Sequence, residues 1–275
     1  MASKPFDVEL YSGSVQLKRS TNHQYRVRVD GGKSYICPNA TTIIGMKDKS
    51  RALIPWALKT AAQAFDLSVP TNASIKMNPA QKQKIMEAIV NAPDVVRDQA
   101  GDVGTQVHQF IEDYFTAMLT GGKEPGVKAL DAELQRACGQ FINWVRKNDV
   151  EPVAMEKPIF SKEHFYTGTT DLVLRVRGRL GLWDAKTGKS VYPEVMLQTS
   201  AYKEAWDEEN PGDMIVERGV LFFPREDYEL VGDMEAIVLP DTHERDFAAF
   251  LALKTVYRFD KDGYKDLQGA RFDRS

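Results

Sequence analysis

Residues 168–189, GTTDLVLRVRGRLGLWDAKTGK, read as two strands joined by a tight turn. Apolar residues crowd both sides of Arg177-Gly178: Leu172, Val173, Leu174 and Val176 before it, Leu180, Leu182 and Trp183 after it. A two-residue turn there pairs Val176 with Arg179, and stepping outward along both strands brings Asp171 opposite Asp184. Side chains directly opposite on antiparallel strands have Cβ atoms roughly 5 Å apart, and like charges there repel. Two carboxylates so placed call for a cation or a shared proton. Lys186 follows Asp184 by two positions, so the strand's period of two sets both on one face. Two acids and a lysine on adjacent strands offer hard oxygen ligands for Mg²⁺ or Mn²⁺ and an ammonium beside a developing negative charge, which is what phosphodiester hydrolysis uses.

Two competing readings of the same stretch fail. Thr187-Gly188-Lys189-Ser190 imitates the end of a phosphate-binding P-loop, but that loop needs glycine at position 183, where this chain has Trp183. The spacing of Asp171 and Asp184 suits a retaining glycosidase, yet Lys186 has no role in that chemistry.

Working outward, strand patterns are expected at 151–160, 165–176 and 180–186, followed by a helix over 193–208. Strands at 216–223 and 228–239 and a helix over 241–257 come next. On the N-terminal side, residues 14–45 alternate and carry β-branched residues, broken at Asp30-Gly31-Gly32, so a hairpin-like opening is expected there. Helices are expected from Trp56 to Phe65 after Pro55, over 79–90, over 93–120 up to Gly121-Gly122, and over 127–147. This order describes an α/β fold, a mixed sheet flanked by helices and preceded by helical elaboration.

The ordered set His108, Gly168-x-x-Asp171, Asp184-x-Lys186-Thr187 and Gln198-x-x-x-Tyr202 resembles the RecB-like branch of the PD-(D/E)XK nuclease superfamily. It looks closest to phage exonucleases and the mitochondrial genome maintenance exonuclease. The resemblance extends over about residues 35–257, including Ala40-Thr41-Thr42-Ile43-Ile44-Gly45. It implies a restriction-endonuclease-like core at 93–257, an N-terminal elaboration at 1–92 and a tail at 258–275. It also implies a site. Asp171, Asp184 and Lys186 would be catalytic, and His108, Asp171, Asp184 and the Ala185 carbonyl would hold one or two Mg²⁺ or Mn²⁺ ions. Gln198, Tyr202, Thr187 and Gly168 would meet the substrate. Glu112, one turn after His108, and Glu156, on the preceding strand, are candidates for a supporting shell. Thr170 stands where the superfamily name has proline. The cysteines that bind an iron–sulfur cluster in some relatives are missing, so no such cofactor is expected.

The implied activity is a metal-dependent DNA exonuclease acting on single-stranded ends, with recombination or replication proteins as further partners. A structure-specific endonuclease of the same superfamily and a DNA-binding module without turnover remain open. Trp56 is a candidate for base stacking or for the core.

Composition bounds these readings. The 275 residues, 43% hydrophobic and 27% charged, exclude disordered and collagen-like chains. No run of about 18 apolar residues exists, and the opening MASKPFDVELYSGS has neither a signal core nor a transit pattern. A whole mature chain in the cytoplasm, with no membrane partner, is therefore expected. Cys37 and Cys138 stand far apart and outside any metal-binding spacing. A net charge of −3 taken alone counts against a DNA partner, but charge is unevenly spread. Residues 1–70 carry ten Lys and Arg against five acids, and residues 168–190 carry five against two. The acid surplus lies in residues 226–246, where eight acids meet only Arg245. A near-neutral total thus excludes only a strongly polybasic, salt-driven binder.

Overall fold

The hairpin at 166–188 forms the middle of a mixed sheet in the computed structural model, which describes residues 5–68, 78–226 and 229–270. Its strands are Tyr166–Val176 (β6) and Arg179–Gly188 (β7), after Val150–Ser161 (β5). Arg177 and Gly178 both take positive φ, 51° and 76°, the backbone a two-residue turn of this hand requires. The register is the expected one, running from Val176 against Arg179 to Leu172 against Trp183. Beyond them come Glu217–Glu226 (β8), the short Glu229–Leu230 (β9) and Glu235–Val238 (β10). The order across the sheet is β10-β8-β7-β6-β5, with β9 paired to the end of β8. Among the described strands of this sheet, only the β7–β8 pairing is parallel. That crossover is made by the helix Glu194–Glu209 (α5).

Ahead of the sheet lie four antiparallel strands, Phe6–Leu10 (β1), Val15–Arg19 (β2), Tyr25–Val29 (β3) and Ser34–Cys37 (β4), paired in sequence order. The expected hairpin is thus a four-stranded meander. The stretch ATTII, expected to continue the strands, is instead a short helix, Ala40–Ile44 (α1). Asn39 caps it, its side-chain oxygen accepting from the Thr42 N–H at 2.6 Å, and a satisfied cap outweighs the β-preference of Thr and Ile. Ser50–Ser68 forms α2, with Pro55 inside it rather than in its first turn. The two helices expected at 79–90 and 93–120 are one, Pro79–Thr120 (α3), running through Pro93. A proline removes one donor from a helix, and the turns on either side of Pro93 carry the helix through that loss. The expected boundary at 92 therefore falls within a continuous helix. The helix expected over 127–147 begins only at Ala132, where Asp131 caps Ala132–Lys147 (α4) through the Leu134 N–H at 2.9 Å. The strand expected over 228–239 is broken between β9 and β10, where Gly232 has φ 63°; its first residue lies outside the described residues. The last helix, His243–Ala270 (α6), runs past the expected tail boundary at 257.

Helices cover both faces of the sheet. Phe110, Tyr114 and Phe115 of α3 and Phe141 of α4 pack with Leu172, Leu174, Trp183, Ala185 and Phe223 on one side. Trp183 lies so close over Gly219 of the neighbouring strand that a Cβ there would sit 2.4 Å from its ring. On the other side, α1, α5 and α6 cover Ile159, Tyr166, Val173, Leu180 and Leu182. A buried ion pair, Arg218 to Asp246 at 2.9 Å, ties β8 to α6. The N-terminal sheet closes its apolar face over Phe160 and is pinned by Tyr11, whose hydroxyl donates to the Phe160 carbonyl at 2.7 Å. Among the described residues, no helix is long and apolar enough to cross a membrane.

Candidate metal centre and cleft

The β6–β7 ladder ends at Leu172 and Trp183, one pair short of Asp171 and Asp184. From there the two strands separate. Asn39, just before α1, makes a bridge to Thr167 of β6, and the Thr167 N–H donates to the Pro38 carbonyl at 3.0 Å. The Ala185 N–H is taken by the Asp171 carboxylate, Oδ2 at 3.2 Å. The opening between the strands is where the expected residues gather.

A second irregularity sharpens this gap. Ile159 and Gly168 are paired and face α5, whereas Met155 and Leu172, each four positions along its strand, face α3. A regular strand returns to the same face every two residues. Both strands therefore change face in between, and Glu156 sits at the change with φ 45°. That left-handed backbone costs a β-strand glutamate on the order of 1–2 kcal/mol, and the register places Glu156 level with Asp171. Glu156, Asp171 and Asp184 thus form a row of three carboxylates across β5, β6 and β7.

His108 reaches this row from α3. One imidazole nitrogen, a Glu156 oxygen and an Asp171 oxygen lie within 4.8 Å of one another. Nε2 is 2.9 Å from the Ala185 carbonyl, so it carries the proton there, and Nδ1 is 3.8 Å from Asp171 Oδ2. Asp184 is buried, its Oδ1 accepts no hydrogen bond, and Lys186 Nζ stands 2.6 Å from Oδ2.

The charges are held under stress. Burial pushes the Glu156 carboxyl up to about 7, with repulsion from Asp171 and Glu112 adding to it. Burial raises the Asp184 carboxyl well above the usual range; Lys186 pulls it back, and Asp171 raises it again. Burial works against the Lys186 charge too, but Asp184 and Asp171 together outweigh it and keep the ammonium protonated. Two crowded carboxylates, Glu156 and Asp171, and the His108 imidazole form a donor set that a divalent cation could use, with the buried Asp184 carboxylate next to Asp171.

Glu156, Asp171 and His108 open into a cleft of about 460 Å³, whose lining does not include Asp184 or Lys186. Gln198 and Tyr202 of α5 line it, sharing a hydrogen bond of 3.3 Å, as do Gly168 and Thr169. Burial and the nearby Asp171 push the Tyr202 hydroxyl up to about 12, so it is a donor throughout the neutral range. Gly168 is needed for the approach of Tyr202, because a Cβ there would lie 2.4 Å from its ring. Gly168→Ala is therefore expected to cost about 1–3 kcal/mol in urea denaturation and to displace Tyr202 from the cleft.

Not every expected residue is at the cleft. Thr187 turns to α3 and stands 3.0 Å from where a Cβ on Gly104 would be. The Ala185 carbonyl is engaged by His108. Glu112 lies beside Glu156 and repels it, while the hydrogen bond made by the imidazole runs to Ala185. Trp56 is half-buried on α2. The basic N-terminal part was expected to help form a groove, but sequence reasoning did not name the residues that do so: Arg19, His23 and Tyr25 of the N-terminal sheet, with Thr41 and Thr42 of α1 beside them. The one local signal was an arginine in register with Val15 and Leu17 on the apolar side of β2.

Comparison with protein-family models finds no match for this chain, and comparison with curated proteins finds none either.

Proposed function

We propose that this chain is a divalent-metal-dependent deoxyribonuclease of the RecB-like PD-(D/E)XK type, acting as an exonuclease on single-stranded DNA ends in replication, recombination or repair. The observation that carries the reading is the parting of β6 and β7 at Asp171 and Asp184, with Lys186 in the gap and His108 reaching in from α3. The PD-(D/E)XK core assignment rests on the same placement together with the α/β sheet order.

Bound Mg²⁺ or Mn²⁺ would supply Lewis-acid polarisation of the phosphodiester and neutralise its charge. His108, Glu156 and Asp171 are the residues to hold it, with Asp184 behind them. Lys186, kept charged by Asp184, donates to the attacking water or to the phosphate oxygen on which charge builds. Tyr202 and Gln198 donate to the phosphate from α5 and fix its orientation. Of the acidic residues in 226–246, Glu235 lies on β10, at the sheet edge opposite β5.

Incubation with 5′- and 3′-labelled linear and circular single-stranded DNA, with Mg²⁺, Mn²⁺ or EDTA, tests this reading. Metal-dependent release of short products from linear strands is expected. Cleavage of circles would replace the exonuclease with an endonuclease, and metal-dependent binding without cleavage would leave a DNA-binding module.

A further inference from the structure

The N-terminal sheet turns one face to Phe160 and the other to solvent. On the outer face Lys18 of β2 stands directly opposite Arg26 of β3, and Gln16 opposite Arg28. Across the next pairing Arg26 faces Ile36 of β4 and Arg28 faces Ser34. These side chains are all exposed and alternate with Val15, Leu17, Tyr25 and Val27, which pack inward over Phe160. Like charges directly opposite on antiparallel strands repel, so the Lys18–Arg26 pairing works against the fold. The acids of β1 do not relieve it at β3. Asp7 is engaged on the β2 side, accepting from Gln16 Nε2 and from Lys18 Nζ, each at 3.1 Å. Glu9 lies toward Gly13, where a Cβ would be 3.5 Å from its Oε2. Among the described residues, Arg26 and Arg28 take part in no ion pair or side-chain hydrogen bond. Both line a hollow of about 260 Å³ on this outer face.

The outer face adjoins the cleft through the chain itself. Arg26 follows Tyr25, which lines the cleft, so their Cα atoms are about 3.8 Å apart. The turn at this rim, residues 20–24, reads Ser-Thr-Asn-His-Gln and carries no acid. Beyond the rim Arg26 and Arg28 are two positions apart on one strand, about 6.8 Å, comparable with the spacing of successive phosphates along an extended single strand. Arginine's planar fork suits phosphate oxygens. Ile36, 57% exposed and paired with Arg26, offers a base an apolar surface. Two uncompensated guanidinium groups that begin one residue from the cleft are complementary to a polyanion whose end lies at the carboxylates. We propose that Arg26 and Arg28 are a track for the phosphates of the single strand beyond the cleft, holding the part of the substrate that is not being cleaved. This rests on the nucleic-acid reading above and adds to it a binding surface outside the cleft.

The test pairs two measurements on the full chain: binding to single-stranded DNA in EDTA over a range of salt concentrations, and cleavage in Mn²⁺ of strands of about 4 and about 30 nucleotides, the shorter filling only the cleft. In the double variant Arg26→Gln, Arg28→Gln, the slope of log affinity against log salt should become shallower by about 1.4, the loss of two phosphate contacts at about 0.7 each. KM for the long strand should rise roughly 3- to 30-fold, while the short strand is cleaved as by the unaltered chain. The double variant Arg26→Lys, Arg28→Lys keeps the charge and should keep the slope. The glutamine variant should unfold at no lower temperature, because Lys18 loses a like-charged neighbour. A glutamine variant with the salt slope and long-strand KM of the unaltered chain overturns the track while the nuclease reading stands. The expected change in slope without cleavage by any form supports the track and removes the nuclease. Poly-glutamate that binds as tightly as DNA, with the same loss of slope, overturns the track in favour of an acidic protein partner. A chain that binds no DNA overturns both readings.

Discussion

Asp184→Asn is expected to abolish DNA cleavage, by at least about 10³-fold (~4 kcal/mol of transition-state stabilisation), without lowering the midpoint of thermal unfolding. The side chain is only 2% exposed, has an oxygen that accepts no hydrogen bond, and sits beside Asp171. Such a carboxylate is a cost to the fold, tolerated at sites where it serves function. Its partner Lys186 keeps 37% of its side chain exposed and can turn to water when Asp184 is neutralised. The reverse change is not equivalent. Lys186→Ala should also end cleavage, but it leaves the Asp184 carboxylate buried without its cation, so it should destabilise the fold by about 1–3 kcal/mol. Paired activity assays and calorimetry on the two variants check this asymmetry. Equal losses of stability, or cleavage retained by either, would remove the assigned roles.

The parts of this arrangement legible in advance are those fixed by local geometry. A two-residue turn and a period of two are enough to expect Asp171 level with Asp184 and Lys186 on the face of Asp184; the observed register agrees from Val176–Arg179 to Leu172–Trp183 and stops one pair short of the two aspartates. The helix over 194–209 was legible to within a residue at each end, and with it the i and i+4 placement of Gln198 and Tyr202. Where β-branched residues met a cap, pattern alone misread the chain: Thr41, Thr42, Ile43 and Ile44 look like a strand, and Asn39 decides otherwise. Pro93 misled in the opposite direction, because a proline inside a long helix costs less than its reputation as a stop signal suggests when the turns on either side hold.

What was illegible depended on pairings between distant segments. Glu156 joins the acids only because β5 runs antiparallel to β6 with its partner residues fixed across a turn at 162–165, and because its own backbone turns left-handed. No composition or spacing announces a positive φ at a glutamate. Arg19 and His23 reach the cleft because a separate sheet docks on Phe160 and Tyr11 bonds to Phe160, Glu208 and Glu209. That docking is a tertiary event with no periodic signature. The residues so missed share one property: each is a polar group whose meaning comes from the partner brought to it by the fold.

The row of carboxylates also predicts how stability should change with pH. In the metal-free protein the Glu156 carboxyl is raised to about 7 from an ordinary 4.5, and Asp184 is raised as well. Between those values the folded state binds more protons than the unfolded chain, so the unfolding free energy must fall as pH rises. The contribution is fully present below about pH 4.5 and is lost as pH passes through 7, worth on the order of 3 kcal/mol for Glu156 alone. Asp48, Glu194 and Asp246 are shifted downward and act in the opposite sense, but only at the acid end, near and below their unfolded values. The window from pH 5 to pH 8 therefore isolates the cluster. Calorimetry in EDTA should show the unfolding temperature falling across that window. Added Mn²⁺ should reverse the trend, because binding requires the deprotonated carboxylates, releases protons, and stabilises the fold by about 2.7 kcal/mol at one hundred times its dissociation constant. Protection by Mn²⁺ should accordingly be larger at pH 8 than at pH 5.5, and Glu156→Gln should flatten both curves. An unfolding temperature that rises from pH 5 to pH 8 in EDTA would mean that the three carboxylates are not crowded as described.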